Sequence, residues 1–296
     1  MAKSAYIESL EKKANVKNSI QEKIQAVIDY CWEAPADALP NQEMMQIIGS
    51  PNPQHFKSAM AHIFREMVLR GDISTGSTVL DIGCGCGRMA IPFSRFLETG
   101  KYYGIDVWEE GIEWCRNNIK RDGVEFEFIL RESKNNYYFS EVDFSSQNDY
   151  HLGEIERNSV DFAFAISLFT HLRSFDCYNY FSELGRVLAS GGCAYVTAFI
   201  IDEYFFEYVR RTGMHSAVRQ IEPGCYYAYS GQDFFAGYTM NKWKEIVDSS
   251  GLKIVSYDVG KWAEKPGALN HQDTFALVSS AYRNEKKPSV DRIPNY

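Results

Sequence analysis

The sequence predicts an α/β protein built on a parallel sheet, and three observations carry that expectation. From Thr78 onward, short apolar runs alternate with amphipathic segments, as strands joined by crossover helices do. The first run, Val79-Leu80-Asp81-Ile82, ends in Gly83-Cys84-Gly85-Cys86-Gly87, and an apolar-periodic segment follows. The next, Tyr102-Tyr103-Gly104-Ile105-Asp106, ends in a carboxylate. Ligands of open α/β sheets bind beyond the carboxyl ends of the strands, so both endings are candidate site elements.

The elements follow in order. Residues 4–33 read as helical, with Ile7, Leu10, Ala14, Ile20, Ile24, Val27, Ile28 and Tyr30 recurring every three or four positions. Ala34-Pro35 and Leu39-Pro40 break the pattern. A second helix is expected over 43–48, stopped by Gly49-Ser50-Pro51-Asn52-Pro53. A third, over 54–70, carries Phe56, Met60, Ile63, Phe64, Met67 and Val68 on one side. Residues 1–70 are thus expected to form a helical extension that either only covers the core or also roofs a substrate cavity.

The sheet region is expected over 71–283. Its strands are predicted at 78–82, 102–106, 126–130, 160–166 and 193–200, with helices over 88–97 and 176–188. Ala189-Ser190-Gly191-Gly192 is read as the turn into the fifth strand. An aromatic-rich, lid-like insertion spans 202–238, with Tyr204, Phe205, Phe206, Tyr208, Tyr226, Tyr227, Tyr229, Phe234, Phe235 and Tyr238. A helix over 240–250 and strands over 252–259 and 274–280 follow. Residues 284–296 are polar, contain proline and read as a loosely held tail.

Composition narrows the function. The 296 residues are 45% hydrophobic and 24% charged, so a substantial core is available. A formal charge of −8 is the wrong footprint for gripping phosphate backbones, and no nucleic-acid partner is expected. The start, Met1-Ala2-Lys3-Ser4-Ala5, lacks the apolar stretch of a secretion signal. No window approaches the roughly 18 apolar residues of a membrane span. Seven irregularly spaced cysteines do not form a disulfide framework, and a cytoplasmic location is expected. Cys84 and Cys86 read as small loop residues, and the histidines lack metal-ligand spacing.

The glycine spacing separates two kinds of nucleotide site. Dinucleotide-binding turns carry G-x-G-x-x-G, whereas Gly83, Gly85 and Gly87 make G-x-G-x-G. Asp81, two residues before Gly83, would oppose a pyrophosphate but suits a ligand bearing an ammonium group. The stretch resembles the first motif, D/E-x-G-x-G-x-G, of the class I S-adenosylmethionine (SAM)-dependent methyltransferases. The run Leu184-Gly185-Arg186-Val187-Leu188-Ala189-Ser190-Gly191-Gly192 is similar to that family's approach to strand five.

The resemblance implies a Rossmann-like, seven-stranded, mostly parallel sheet with helices on both faces, its last strand inserted antiparallel. It implies SAM as cofactor, with Gly83, Cys84, Gly85 and Gly87 passing under the methionine part and Asp81 near its amino group. Asp106 would accept from the ribose hydroxyls, and Val107 and Trp108 would wall the adenine. Glu132 and Ser133 would accept from the adenine amino group, and Ser167 and Leu168 would lie near the transferred methyl.

Candidates for acceptor chemistry are fewer. His171, after the fourth strand, titrates near working pH and could take a proton from an acceptor, or could simply bond backbone. Asp202 could bind substrate or cap the next helix; His215 and His271 are weaker candidates. The aromatic segment could be a lid core or could wall a pocket for an aromatic or cationic acceptor. The expected function is methyl transfer to an oxygen or nitrogen of a small molecule. The alternatives are RNA- or protein-directed methylation, non-catalytic SAM binding, and a dinucleotide oxidoreductase. No Asn-Pro-Pro-Tyr-type tetrapeptide or Pro-Cys pair follows the fourth strand.

Overall fold

The structure, a computed structural model, describes residues 19–131, 151–230, 233–268 and 270–279. Seven strands form the main sheet: β1 (Thr78–Ile82), β2 (Lys101–Asp106), β3 (Glu125–Leu130), β4 (Val160–Ala165), β5 (Leu188–Ala198), β9 (Leu252–Asp258) and β10 (Asp273–Ser279). Their spatial order is β3-β2-β1-β4-β5-β10-β9. Pairings from β3 through β5 are parallel, and β10 runs antiparallel to both β5 and β9. The order reverses between β1 and β4, which makes their carboxyl ends the topological switch point.

Strand periodicity divides the core in two. Val79, Tyr102, Phe128, Phe162 and Phe164 face one side, with α3 (Pro53–Arg70), α4 (Ala90–Phe96) and α5 (Glu109–Asn118). Leu80, Ile82, Tyr103, Ile105, Ala163 and Val196 face the other, with α6 (Ser174–Val187) and α8 (Met240–Ser249). Alternate side chains of a strand point to opposite faces, so apolar character at consecutive positions requires helices on both.

Residues 19–33 form α1, and Ile24, Val27 and Cys31 bury its inner side; residues 4–18 of the expected helix lie outside the described residues. The Asn41 side chain accepts from Met44 N and caps α2 (Gln42–Ile47). The Asn52 side chain accepts from His55 N, and Pro53 opens α3 where its missing N–H costs nothing.

Several boundaries differ from the sequence reading by a residue or two, and two differences bear on the strand ends. The helix expected from Arg88 begins at Ala90. Strand β5 begins at Leu188 and includes the glycines taken for a turn. Val160 pairs with Leu188 but Phe162 with Cys193, so Ala189–Gly192 bulges out of the ladder, and Gly191 takes a left-handed φ of 88°.

The aromatic segment folds into α7 (Glu203–Thr212) and a second antiparallel sheet of β6 (Arg219–Glu222), β7 (Cys225–Ser230) and β8 (Asp233–Tyr238). Buried Cys225 and Tyr227 alternate with partly exposed Tyr226 and Ala228, the period of a half-buried strand. Ring-rich composition masked that period in the sequence. The small sheet joins the main one where Tyr238 N donates to Phe199 O and Ile201 N to Tyr238 O, both at 2.9 Å. Phe199, Phe205, Phe235 and Trp262 pack on one another at centroid distances of 4.5–6.3 Å, so these rings are the lid's own core.

A buried charge cluster anchors this region. Lys265 Nζ donates to Ile200 O (2.7 Å) and pairs with Asp202 (2.8 Å) and Asp273 (3.5 Å). Asp273, fully buried, also accepts from Ile200 N, Trp262 Nε1, Tyr257 Oη and Gly260 N. Removing one partner of a buried ion pair strands the other. Lys265→Met is therefore expected to lower unfolding free energy by about 3–5 kcal/mol, read from urea denaturation followed by tryptophan fluorescence.

Candidate cofactor and acceptor site

The glycine loop is stitched to the neighbouring strand. Gly83 N and Cys84 N both donate to Ile105 O, at 2.8 and 3.0 Å, and Gly87 N donates to Cys84 O at 3.0 Å. Gly85 N donates to Asp106 Oδ2 at 2.7 Å. These amides are the ones that would cradle a pyrophosphate, and all are already engaged. The loop offers shape rather than donors. Of its three glycines only Gly83 is exposed, and a Cβ there would meet only Leu168, at 3.7 Å. Gly87 has a different reason for lacking a side chain: a Cβ would fall 2.6 Å from Ile119 and 2.9 Å from Cys115 Sγ.

Two buried carboxylates flank the loop. Asp106 Oδ1 accepts from Val107 N (2.7 Å) and Trp108 N (2.9 Å), while Oδ2 takes Gly85 N. A carboxylate has about four lone-pair sites, so the position left for an external hydroxyl lies on Oδ2. Burial raises the Asp106 pKa, and the three amides oppose that rise. Val107 is partly exposed at the strand end, whereas Trp108 is buried with its ring against Gly111.

Asp81 accepts from Tyr102 Oη at 2.6 Å. Burial pushes its carboxyl up to about 8; Asp106 adds to the rise, while the tyrosine bond and Arg88 oppose it. An uncompensated buried carboxyl awaiting a cation fits the donor set of a ligand that brings an ammonium group and ribose hydroxyls. It does not fit one that brings a pyrophosphate.

Across the switch point, the chain leaves β4 through Ser167, which holds a left-handed φ of 59°. Such a conformation costs a non-glycine residue about 1 kcal/mol or more and is held here by neighbours. Ser167 N donates to Thr197 Oγ1 (2.7 Å), and both hydroxyls reach Gln272 Oε1, at 3.2 and 2.6 Å. Thr197 and Gln272 escape sequence reasoning, because one sits inside a strand pattern and the other in a loop. Leu168 lies over Gly83, so the segment after the fourth strand and the glycine loop meet.

The remaining candidates are placed as follows. His171 Nδ1 lies 2.8 Å from Phe234 O; a carbonyl only accepts, so Nδ1 carries the proton and Nε2 is the basic nitrogen of the neutral ring. The bond ties the turn after β4 to β8 of the small sheet. Asp202 caps α7 by accepting from Phe205 N and pairs with Lys265, a structural role. His215 stands among the lid rings, 5.1 Å from Phe235, and His271 lies near His55 and Lys261. Glu132 and Ser133 fall outside the described residues. Among the described residues no group of three or more His, Cys, Asp or Glu could hold a metal, and no helix is long and apolar enough to cross a membrane.

The N-terminal helices reach this site. A Cβ on Gly85 would fall 2.9 Å from Ile48, Cys86 Sγ lies 3.8 Å from Met44 O, and Ser50 is fully buried. The end of α2 and the loop after it thus press on the glycine loop.

Comparison with known proteins bears on the fold. Residues 80–196 match the family described as a methyltransferase domain. Ribosomal protein L11 methyltransferase of Cupriavidus taiwanensis is 43% identical over 65 residues, 22% of this chain and 22% of that protein. The chain thus covers only about a fifth of the curated relatives it matches. A SAM-dependent methyltransferase of Methanosarcina mazei superposes with a TM-score of 0.50 at 17% identity, over 70% of this chain and 94% of its own. A Pyrococcus horikoshii protein superposes with a TM-score of 0.53 at 18% identity, over 81% and 100%. At such identities the likeness is one of fold. Residues 80–196 thus match a methyltransferase domain, and the fold is shared with a SAM-dependent methyltransferase. SAM is the cofactor of the Methanosarcina mazei enzyme that shares this fold.

Asp81 makes the domain's stability pH-dependent in a defined direction. Its folded pKa lies near 8, above the unfolded value of about 3.9. Its stabilising contribution is complete below pH 4 and is lost as pH rises through 8. Asp81→Asn keeps an acceptor for Tyr102 and removes this titration. The variant is expected to gain stability relative to the parent as pH rises from 5 to 8.5, read from urea midpoints at both ends.

Proposed function

We propose that the protein transfers a methyl group from SAM to an oxygen or nitrogen of a small-molecule acceptor. The observation that carries the reading is closure of the strand ends from two sides. Ile48 presses on Gly85, and Met44 O lies 3.8 Å from Cys86 Sγ. On the other flank β8 is bonded to His171 through Phe234 O, the hydroxyl of Tyr238 donates to Leu172 O, and Ser174 N donates to Tyr227 Oη at 2.9 Å. A site walled in this way suits a small acceptor better than a macromolecular surface. An aromatic or cationic acceptor is the first choice, because the flank over β4 is built from aromatic strands.

SAM supplies an activated methyl on a positively charged sulfur, so the chain's own work is alignment and exclusion of water. Asp81 holds the ammonium end, Asp106 Oδ2 the ribose, and Leu168 with Gly83 and Val107 the apolar contacts; Trp108 supports that strand end from within the core. His171 Nε2 receives the proton where the acceptor starts protonated, its tautomer set by Phe234 O. Cytoplasmic chemistry fits the unpaired state of all seven cysteines. A protein acceptor is the second reading, favoured by the local likeness to the ribosomal protein L11 enzyme.

Three measurements test the proposal. Asp106→Ala is expected to weaken SAM binding at least about 10-fold, the scale of one charge-assisted hydrogen bond; unchanged affinity in calorimetry would remove Asp106 from the site. Asp81 must ionise to hold an ammonium, so SAM affinity is expected to rise with pH between 6 and 8, with protons released on binding. Methyl-labelled SAM incubated with fractionated metabolites and, separately, with ribosomal proteins is expected to label a small molecule. Label confined to protein selects the second reading, and label in neither fraction leaves a SAM-binding protein without transfer.

A further inference from the structure

Gln272 braces the turn after β4, and bracing uses only part of its amide. Thr197 Oγ1 accepts from Ser167 N at 2.7 Å, which leaves its own proton for Gln272, at 2.6 Å. A separation of 2.6 Å is ordinary for O–H···O and too short for N–H···O, so the amide turns its oxygen toward Thr197. Ser167 Oγ donates to the same Oε1 at 3.2 Å. Both lone pairs of that oxygen are thus taken, while the nitrogen keeps two N–H donors. Among the described residues Nε2 has no partner, and Gln272 is only partly buried, so those donors are not enclosed.

The amide stands at the candidate site. Asp273, the next residue, pairs with Ala198 at the end of β5, so Gln272 lies at the edge where β4 and β5 finish. Its bond to Ser167 joins it to a segment whose next residue, Leu168, covers Gly83. The far end of the same turn carries His171. The carboxylate beside it in sequence does not compete for its hydrogens, because Asp273 already holds Ile200 N, Gly260 N, Trp262 Nε1 and Lys265. Aromatic surface adjoins the brace. Phe199, two residues beyond Thr197, is partly exposed and stacks on Phe235 at 5.1 Å, with Trp262 at 4.5 Å.

We infer that Gln272 determines the class of acceptor, binding an electron-rich oxygen of an aromatic molecule, a phenolate or a carbonyl, through its Nε2 hydrogens. The inference rests on the function proposed above and chooses between the aromatic and the cationic acceptor named there. Two N–H donors attract an oxygen and repel a cation. A brace alone requires only an oxygen, which a glutamate would supply equally well; the amide nitrogen is surplus to it. A few placed polar groups in a mostly apolar pocket fix a ligand's orientation, and the Gln272 donors beside Phe199 are such a group.

Two variants and two probes test this on the full chain saturated with S-adenosylhomocysteine. Gln272→Glu keeps the oxygen that takes both hydroxyls and loses the donors, whereas Gln272→Met loses both. The probes, 4-nitrophenolate and the cation benzylamine, are titrated at pH 8 by calorimetry. The parent is expected to prefer 4-nitrophenolate. Both variants are expected to bind it about 10- to 150-fold more weakly, the range of a hydrogen bond to a charged group. Gln272→Glu keeps the parent's melting temperature and, within about twofold, its SAM affinity, because the brace is intact. A Gln272→Glu protein that binds 4-nitrophenolate like the parent reduces Gln272 to a brace. Weakening in Gln272→Glu alone is charge repulsion and overturns the contact, as does a parent that prefers benzylamine or binds neither probe. Should the parent bind no S-adenosylhomocysteine, the cofactor reading fails separately, and the probes are titrated into the unliganded chain. The proposed function fails in a different way: methyl-labelled SAM then labels no acceptor, whatever the probes bind.

Discussion

The bonds that lash the glycine loop to the end of β2 are the constraint on which the site depends. Ile105 O takes two loop amides and Asp106 a third. With those bonds made, the loop cannot lie flat along β1. It rises at Gly83, exposes backbone there and returns into α4 with Gly87 pressed against Ile119 and Cys115. Asp106 is a structural strut, held by three backbone amides. Its buried charge is tolerable because backbone amides solvate it, as a carboxylate in a poorly hydrated place requires. Asp81 lacks that support beyond one tyrosine hydroxyl, and burial pushes its carboxyl up to about 8.

Everything around this loop is arranged to close over it. The turn after β4 carries strained Ser167, braced by Thr197 and Gln272 from β5 and the approach to β10. The antiparallel placement of β10 is what brings Gln272 there, since its first residue pairs with the last of β5. The small sheet leans on the same turn, and the Lys265–Asp202–Asp273 cluster ties α7 and the loop before β10 to the end of β5. Remote ion pairing and local site geometry are therefore linked through one stretch of chain.

Much of the frame was legible beforehand. Strands β1 to β4 fall within one or two residues of their expected places, because apolar runs buried on both faces leave a plain signal. Asp81, Asp106 and the three glycines were legible as a constellation, since each stands at a strand end and strand ends are where this architecture binds. The bulge in β5 was not, because a Gly-Gly pair reads as a turn whether or not the ladder continues around it. Nor was the sheet of β6 to β8, whose adjacent tyrosines and phenylalanines hide an alternating pattern. Ser50, Thr197 and Gln272 had no signal at all, for each matters only through partners far along the chain.

The sequence by itself determined the parallel sheet and the residues that stand at its strand ends by the switch point, because local periodicity encodes the strands and their ends. Tertiary structure alone decided which amides of the glycine loop are engaged, how the oxygens of Asp106 share their three amide bonds and which residues pack against the loop. Those properties depend on contacts between segments distant in sequence, and hydrogen-bond saturation and burial do not exist until the segments have packed.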